Sequence, residues 1–291
     1  MSHCVSNPCQ PFKSRTGALK VHQVPAWQDN FIWLIEYNEA GDVAAVDGPE
    51  ASGVLAYCEQ NGLNLKVILN THTHPDHIGI NHELSRMGKL EGLRVVGCAD
   101  RANDVPGITE KVSDGDSVTL GDVSGQALLT EGHIDGHISY VFEDVLFCGD
   151  ALFGGGCGYL FDGPPKKMFD SLHRLGALAP ETKVCCAHEY TQDNLTFAWS
   201  IEQGNPDLAF RIKDVWKVRA EGGSTIPSTI GMELATNPFM RQGSQEIRDT
   251  VSRALPDVST KSDEDLFAAT RMLKDKKTYK EKLPAPLPLE P

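Results

Sequence analysis

One short segment constrains the possible folds of this chain more than any other, namely residues 71–77 with the sequence THTHPDH. The apolar run 66–70 precedes it and a helix-like pattern over 78–84 follows it, which predicts a loop between a buried strand and a helix. Side chains two residues apart on an extended segment point the same way, so His72 and His74 can bind one ion. Asp76 and His77 lie beyond the turn and face a different direction.

Imidazole and carboxylate groups are the usual protein ligands of zinc and similar divalent ions. A loop that presents three imidazoles and one carboxylate within six residues therefore predicts two adjacent metal sites. A polar turn without a bound ion is the alternative, but four ligand-type side chains at this spacing are seldom only a solvated turn.

A binuclear site needs further ligands, because each ion takes about four or five. The ends of predicted strands offer them: His133 and His137 between two strands, Asp150 after an apolar strand, and His188 after another. Loops at strand ends present side chains from a rigid scaffold. Asp150 has two carboxylate oxygens and can bridge both ions. The spacing alone leaves His133 and His137 as alternatives.

The hydrophobic pattern predicts a mixed α/β domain followed by a helical one. Helices are predicted over 49–60 and 166–178, and after about Asn194 the pattern is mainly helical, with Ser262 as the N-cap of a late helix. The predicted strands cover 21–25, 31–37, 43–47, 65–69, 94–97, 117–120, 126–129, 138–142, 145–148 and 183–187. The predicted division is an irregular leader (1–19), an α/β domain (20–190), a helical domain (191–282) and a proline-rich tail (283–291).

Charge and cysteine usage exclude several classes of protein. The formal net charge is -13 with a pI near 5.2, which argues against nucleic-acid binding, since phosphate contacts need clustered Lys and Arg. No apolar run approaches the roughly 20 residues that span a bilayer, so we expect no membrane partner. The eight cysteines form no C-x-x-C pair and no disulfide framework. We therefore expect a reducing compartment, the cytoplasm. We also expect a monomer.

The metal-ligand segments and several others together resemble the metallo-β-lactamase superfamily, and within it the glyoxalase II (hydroxyacylglutathione hydrolase) family. The similarity covers roughly residues 20–280. The more specific segments are 29–35 (DNFIWLI), 146–153 (LFCGDALF), 156–158 (GCG), 188–191 (HEYT) and 237–241 (NPFMR).

The resemblance implies a four-layer αβ/βα sandwich with a C-terminal helical, substrate-binding domain. It implies two divalent ions, expected to be zinc, with iron or manganese as alternatives. It makes His137 structural and Asp76, His77 and Asp150 catalytic. The implied ligands are His72, His74 and His133 for one ion, Asp76, His77 and His188 for the other, and Asp150 between them.

The activity that the resemblance implies is hydrolysis of a small-molecule glutathione thioester. S-D-lactoylglutathione would be converted to D-lactate and glutathione, with a hydroxide that bridges the metals attacking the thioester carbonyl. A thiol with a pKa near 8.5 is a tolerable leaving group, so a dedicated general acid is not required.

Five residues match positions that contact the substrate in this family: Tyr159, Phe161, Tyr190, Arg271 and Lys274. Arg271 and Lys274 are three apart, so one helix face carries both, although a solvated cationic face is the alternative. The chain departs from the family at two of these positions, with Tyr159 where Lys or Arg is usual and Phe161 where some members have Tyr. Residues 276–277 (KK) also look inserted. These changes leave the metal ligands intact and alter the thiol-binding side.

Three other functions fit parts of the pattern. A persulfide dioxygenase of the same superfamily would bind a single iron, so metal counting and oxygen uptake would identify it. A lactonase or β-lactamase would prefer lactones or lactams to thioesters. A non-catalytic binding protein would keep the site intact but turn over no thioester.

Overall fold

The computed structural model describes residues 3–289. The predicted leader (1–19) and tail (283–291) therefore include four residues outside the described part, which are Met1, Ser2, Glu290 and Pro291. No helix within 3–289 combines the length and the apolarity needed to cross a membrane.

The first of two large sheets has seven strands, ordered along the sheet as in the sequence. Its first four strands are antiparallel, and the fourth to seventh are parallel. The strands are β1 (Phe12–Lys13), β2 (Lys20–Ala26), β3 (Asn30–Glu36), β4 (Asp42–Val46), β5 (Asn64–Leu69), β6 (Arg94–Cys98) and β7 (Glu110–Val112).

The second sheet has six strands in the order β15-β14-β11-β10-β9-β8, and a two-stranded ribbon, β12 with β13, follows β11. Only β11 and β14 run parallel. The strands are β8 (Ser117–Leu120), β9 (Val123–Leu129), β10 (Ile138–Phe142), β11 (Val145–Gly149), β12 (Leu152–Phe153), β13 (Gly156–Cys157), β14 (Lys183–Cys186) and β15 (Ser228–Thr229).

Helices flank the two sheets. The α-helices are α1 (Ser52–Asn61), α2 (Pro75–Arg86), α3 (Pro165–Gly176), α4 (Thr191–Ile201), α5 (Pro206–Ala220), α6 (Ile230–Thr236), α7 (Gln245–Ala254), α8 (Asp263–Asp275) and α9 (Thr278–Glu281). Short 3₁₀ turns cover Ala99–Arg101 and Pro238–Met240. The helices expected over 166–178 and after Asn194 are confirmed, and Ser262 caps α8 in a capping box with Asp265.

The main core lies between the two sheets. Trp33 of β3 packs against Phe147 of β11, with ring centroids 6.5 Å apart. The opposite face of β3 carries Ile32 and Leu34, which belong to a second cluster with side chains of α1 and α2. Alternate residues of one strand therefore face different layers, as expected for a sheet covered on both sides. The predicted α/β sandwich with a C-terminal helical region is confirmed.

The candidate ligands lie where parallel strands end. The loop that follows β5 carries His72 and His74, Asp150 follows β11, and His188 follows β14. The two sheets meet at this edge, where the Phe31 amide donates to the Ala187 carbonyl at 2.7 Å. Because ligands of α/β sheets bind outside the carboxyl ends of the strands, the fold brings these distant segments to one place.

Candidate metal centre and adjoining pocket

The first group of ligand atoms is formed by His72, His74, His133 and Asp150, and these atoms lie within 4.8 Å of one another. His74 Nδ1 is 3.1 Å from His72 Nε2 and 3.0 Å from His133 Nε2. His133 Nε2 is in turn 3.4 Å from Asp150 Oδ2. Three imidazole nitrogens and one carboxylate oxygen thus converge on one point.

The second group consists of Asp76, His77 and His188, again within 4.8 Å of one another. Asp76 Oδ2 is 3.5 Å from His77 Nε2 and 3.4 Å from His188 Nε2. The other oxygen of Asp150, Oδ1, lies 3.5 Å and 3.4 Å from the same two nitrogens. The Asp150 carboxylate therefore stands between the two groups and directs one oxygen at each.

Hydrogen bonds at the far side of each ring fix the orientation of four imidazoles. In each case Nδ1–H donates outward and leaves the Nε2 lone pair directed at the centre. The acceptors are Thr71 Oγ1 for His72 (3.0 Å), Asp47 Oδ2 for His77 (2.9 Å), the Tyr159 carbonyl for His133 (2.7 Å) and Asp29 Oδ1 for His188 (2.8 Å). This arrangement is typical of histidines that bind a metal.

Two buried polar atoms test whether a cation fits this site. His77 Nε2 and Asp150 Oδ1 are buried without a hydrogen-bond partner among the described residues. Such orphaned groups are costly unless an ion or water satisfies them.

Burial and the neighbouring His77 hold the pKa of His72 well below its ordinary value, so the His72 imidazole is neutral and can act as a ligand. Burial would raise the pKa of Asp150, but its electrostatic interactions with the His188 and His77 imidazoles outweigh burial and hold it well below its usual range. The donor set fits divalent ions.

His137 is buried beside this centre, but both of its nitrogens have other partners. Nδ1–H donates to Thr130 Oγ1 at 2.9 Å, and Nε2 accepts from the Asp150 backbone N–H at 3.2 Å. The imidazole thereby holds the loop that carries Asp150. The geometry places His133, and not His137, among the converging ligand atoms.

Two glycines let the backbone pass close to the ligands. Gly149 has a φ of 46°, and a β-carbon there would overlap Thr71 Oγ1. A β-carbon on Gly158 would overlap the Asp150 carbonyl and approach the His133 ring. Larger side chains would displace Asp150 and His133, so the segments 149–150 and 156–158 need glycine at these places.

A pocket of about 310 Å³ adjoins the metal centre. Four of the five predicted substrate residues line it, namely Tyr159, Tyr190, Arg271 and Lys274. Tyr190 stacks on His188 with ring centroids 4.8 Å apart. The fifth residue, Phe161, lies instead against the rings of His74 and His133, each with centroids 5.3 Å away.

Arg271 and Lys274 are buried, at 6% and 7% exposure, so neither belongs to a solvated face. The Arg271 guanidinium donates to Asp275 through Nε at 3.0 Å and to the Cys157 carbonyl through Nη1 at 3.3 Å. The Lys274 ammonium donates to Asn194 Oδ1. Both side chains are thus held by hydrogen bonds and line the pocket.

Two family models together match most of this chain, residues 39–277. The family model of the metallo-beta-lactamase superfamily matches residues 39–188, and that of the hydroxyacylglutathione hydrolase C-terminus matches residues 189–277. A hydroxyacylglutathione hydrolase of Methylococcus capsulatus is 44% identical over 259 residues, which are 88% of this chain and 98% of that protein. The chain belongs to the hydroxyacylglutathione hydrolase family. The resemblance seen in the sequence is therefore confirmed.

Solved structures agree on the fold of this family member. ETHE1 from Myxococcus xanthus matches 87% of this chain and 97% of that chain, with a TM-score of 0.57 and 23% identity. TTHA1623, solved in a di-iron-bound form, matches 75% of this chain and 98% of that chain, with a TM-score of 0.50 and 26% identity.

Sequence reasoning named all seven converging side chains but missed residues that position them. Asp29 and Asp47 each accept a hydrogen bond from a ligand imidazole. The sequence offers one local sign of each: Asp47 ends a predicted strand, and Asp29 begins the segment 29–35. His3 was also missed: its Nδ1–H donates to the Glu189 carbonyl at 2.8 Å, and its ring meets Tyr190 edge-on at 5.5 Å. The segment predicted as an irregular leader therefore lines the pocket.

Proposed function

We propose that this hydroxyacylglutathione hydrolase family member cleaves S-D-lactoylglutathione, or a related hydroxyacyl thioester, to D-lactate and glutathione with two divalent ions. The observation that carries the proposal is the pair of ligand groups that share Asp150 beside a cationic pocket. The relative from Methylococcus capsulatus, named hydroxyacylglutathione hydrolase, supports the substrate.

Seven side chains would hold the ions, with Asp150 shared between them. They are His72, His74, Asp76, His77, His133, Asp150 and His188. When bound, two such ions polarise a carbonyl oxygen and lower the pKa of water toward neutrality. Zinc is the ion we propose first, and the di-iron form of TTHA1623 supports iron as the main alternative.

The protein's own side chains bind and orient the substrate and hold the ligand imidazoles in place before the reaction. Asp29 and Asp47 hold His188 and His77 in one tautomer, so that their Nε2 atoms face the centre before substrate arrives. We place the thiol half of the substrate in the pocket that Tyr190, Arg271 and Lys274 line. The acyl half then reaches the centre on the side where Phe161 covers two ligand imidazoles.

The two predicted domains, which meet near residue 190, would contribute different groups to the site. The α/β part, 20–190, supplies the metal ligands, and the helical part, 191–282, supplies Arg271 and Lys274. No general acid is needed, because a glutathione thiolate is a stable leaving group near neutral pH. A monomeric state and a cytoplasmic location remain predictions.

The test is a thioesterase assay of the purified protein with S-D-lactoylglutathione, with metal analysis on the same sample. We expect turnover and about two ions per chain. His188→Ala should lose one ion and nearly all activity, whereas His82→Ala, which changes an exposed histidine on α2, should keep both. A single iron with oxygen uptake on a persulfide would indicate a dioxygenase instead, and faster turnover of lactones would indicate a lactonase.

A further inference from the structure

The exposed end of the pocket beside the metal centre carries a cluster of charged side chains. Lys277 and Lys280 line it from the junction of α8 and α9, together with Asp193 and Asp275. The proposed substrate is anionic, while the protein has a formal net charge of -13. An anion entering here therefore needs a local positive group that is not already neutralised.

Most of the cations that line the pocket are already engaged. Arg271 Nη2 is 2.5 Å from Asp275 Oδ1, and Lys280 Nζ is 2.7 Å from Asp193 Oδ1. Lys274 is buried and donates to Asn194. Lys277 is exposed, and no carboxylate pairs with it anywhere in residues 3–289. Its charge is available to a ligand.

The backbone at Lys277 is a second, independent sign that this side chain has a role. Lys277 has a φ of 56°, in the left-handed region that favours Gly and Asn over Lys. Two backbone hydrogen bonds of 3.0 Å hold this conformation. The Lys277 N–H donates to the Lys274 carbonyl, and the Lys280 N–H donates to the Lys277 carbonyl. A lysine at this position costs conformational energy that glycine would not, so its side chain is the feature to explain.

Tyr159 adds no positive charge to the pocket. Tyr159 lines the pocket and is 53% exposed, so it presents an uncharged phenol there. A phenol donates one hydrogen bond but forms no ion pair with a carboxylate. Lys277 lines the same pocket, so an unpaired cation lies in the same cavity as this uncharged phenol.

We propose that Lys277 binds a carboxylate of the thiol half of the substrate at the exposed end of the pocket, and so sets the preference for an anionic thiol. The inference rests on the proposed thioesterase function. It assigns to the α8–α9 junction the carboxylate contact that Tyr159 does not make. Lys277 acts on binding only, because it lies outside both metal-ligand groups.

The test compares Lys277→Asn, Lys277→Arg and the matched control Lys276→Asn. Asn removes the charge and tolerates the left-handed backbone, and Lys276 is an exposed neighbour outside the pocket lining. On S-D-lactoylglutathione, K277N should raise KM roughly 1.5- to fivefold at unchanged kcat, as expected for one exposed ion pair. K277R and K276N should stay close to the parent protein.

A second substrate separates recognition of the carboxylate from a structural effect. S-D-lactoylglutathione esterified at both of its glutathione carboxylates should have a higher KM than the free acid with the parent protein, and K277N should add little further loss. Equal KM values for K277N and K276N, or an equal loss on acid and ester, would overturn the assignment. Calorimetric binding of glutathione itself supplies the same comparison without turnover. An inactive parent protein would refute the thioesterase proposal, while the binding data would still decide the role of Lys277.

Discussion

Lys274→Met offers a sharp test of the electrostatics of the pocket, because the lysine ammonium is buried beside Arg271. Burial, together with the charge of Arg271, lowers the pKa of Lys274 from 10.5 to about 7. Between these values the unfolded chain binds the proton and the folded chain tends to release it, so stability rises with pH across this range. At pH 7 the cost of the shifted pKa is roughly 4 kcal/mol.

Methionine has a similar length and no charge, so the variant avoids this cost. It also leaves Asn194 Oδ1 without the Lys274 donor, which costs about 1–3 kcal/mol. We therefore expect Lys274→Met to be more stable than the parent by roughly 1–3 kcal/mol at pH 7, a rise in Tm of at least about 2 °C. The gain should shrink toward pH 9.5, where folded Lys274 is already neutral and the unfolded lysine is losing its proton.

Urea unfolding of both proteins at pH 7 and pH 9.5 measures this, with Lys276→Met as an exposed control. The same variant should raise KM for the thioester, because it removes a cation from the pocket. A variant that is less stable at pH 7, or whose gain is the same at both pH values, would show that Lys274 is not a strained buried charge.

Three further variants test the metal centre and the pocket. Asp150→Ala should abolish turnover and lower the metal content measured by elemental analysis, since both ligand groups lose an oxygen; retention of both ions would contradict a bridging role. Arg271→Ala should mainly raise KM in steady-state kinetics, and an unchanged KM would rule out α8 as the clamp on the thiol half. Asp47→Asn should weaken metal retention about 10- to 100-fold during dialysis against a chelator, because His77 loses the acceptor that orients it. Retention equal to the parent would show that the Asp47 carboxylate is dispensable.

Much of the fold could be predicted from local patterns. Strands such as β3 and β10 were placed to within a residue or two, because buried strands have short apolar runs that punctuating residues delimit. Strands of two or three residues, such as β7 and β15, were missed, since so short a segment has no detectable period. Their pairing depends on neighbours far away in the chain.

Local sequence patterns were enough to identify the side chains that can bind metal, because the ligand types cluster in the run 71–77 and recur at the ends of apolar strands. The spacing left His133 and His137 as alternatives, and the family resemblance favoured His133. The tertiary structure supplies the physical reason, since the choice depends on which ring nitrogen meets a distant backbone group. Only the tertiary structure decided the role of Asp29, which meets His188 across 159 positions of sequence. Local patterns report what one segment prefers, whereas a hydrogen bond between remote segments exists only after the two sheets pack together.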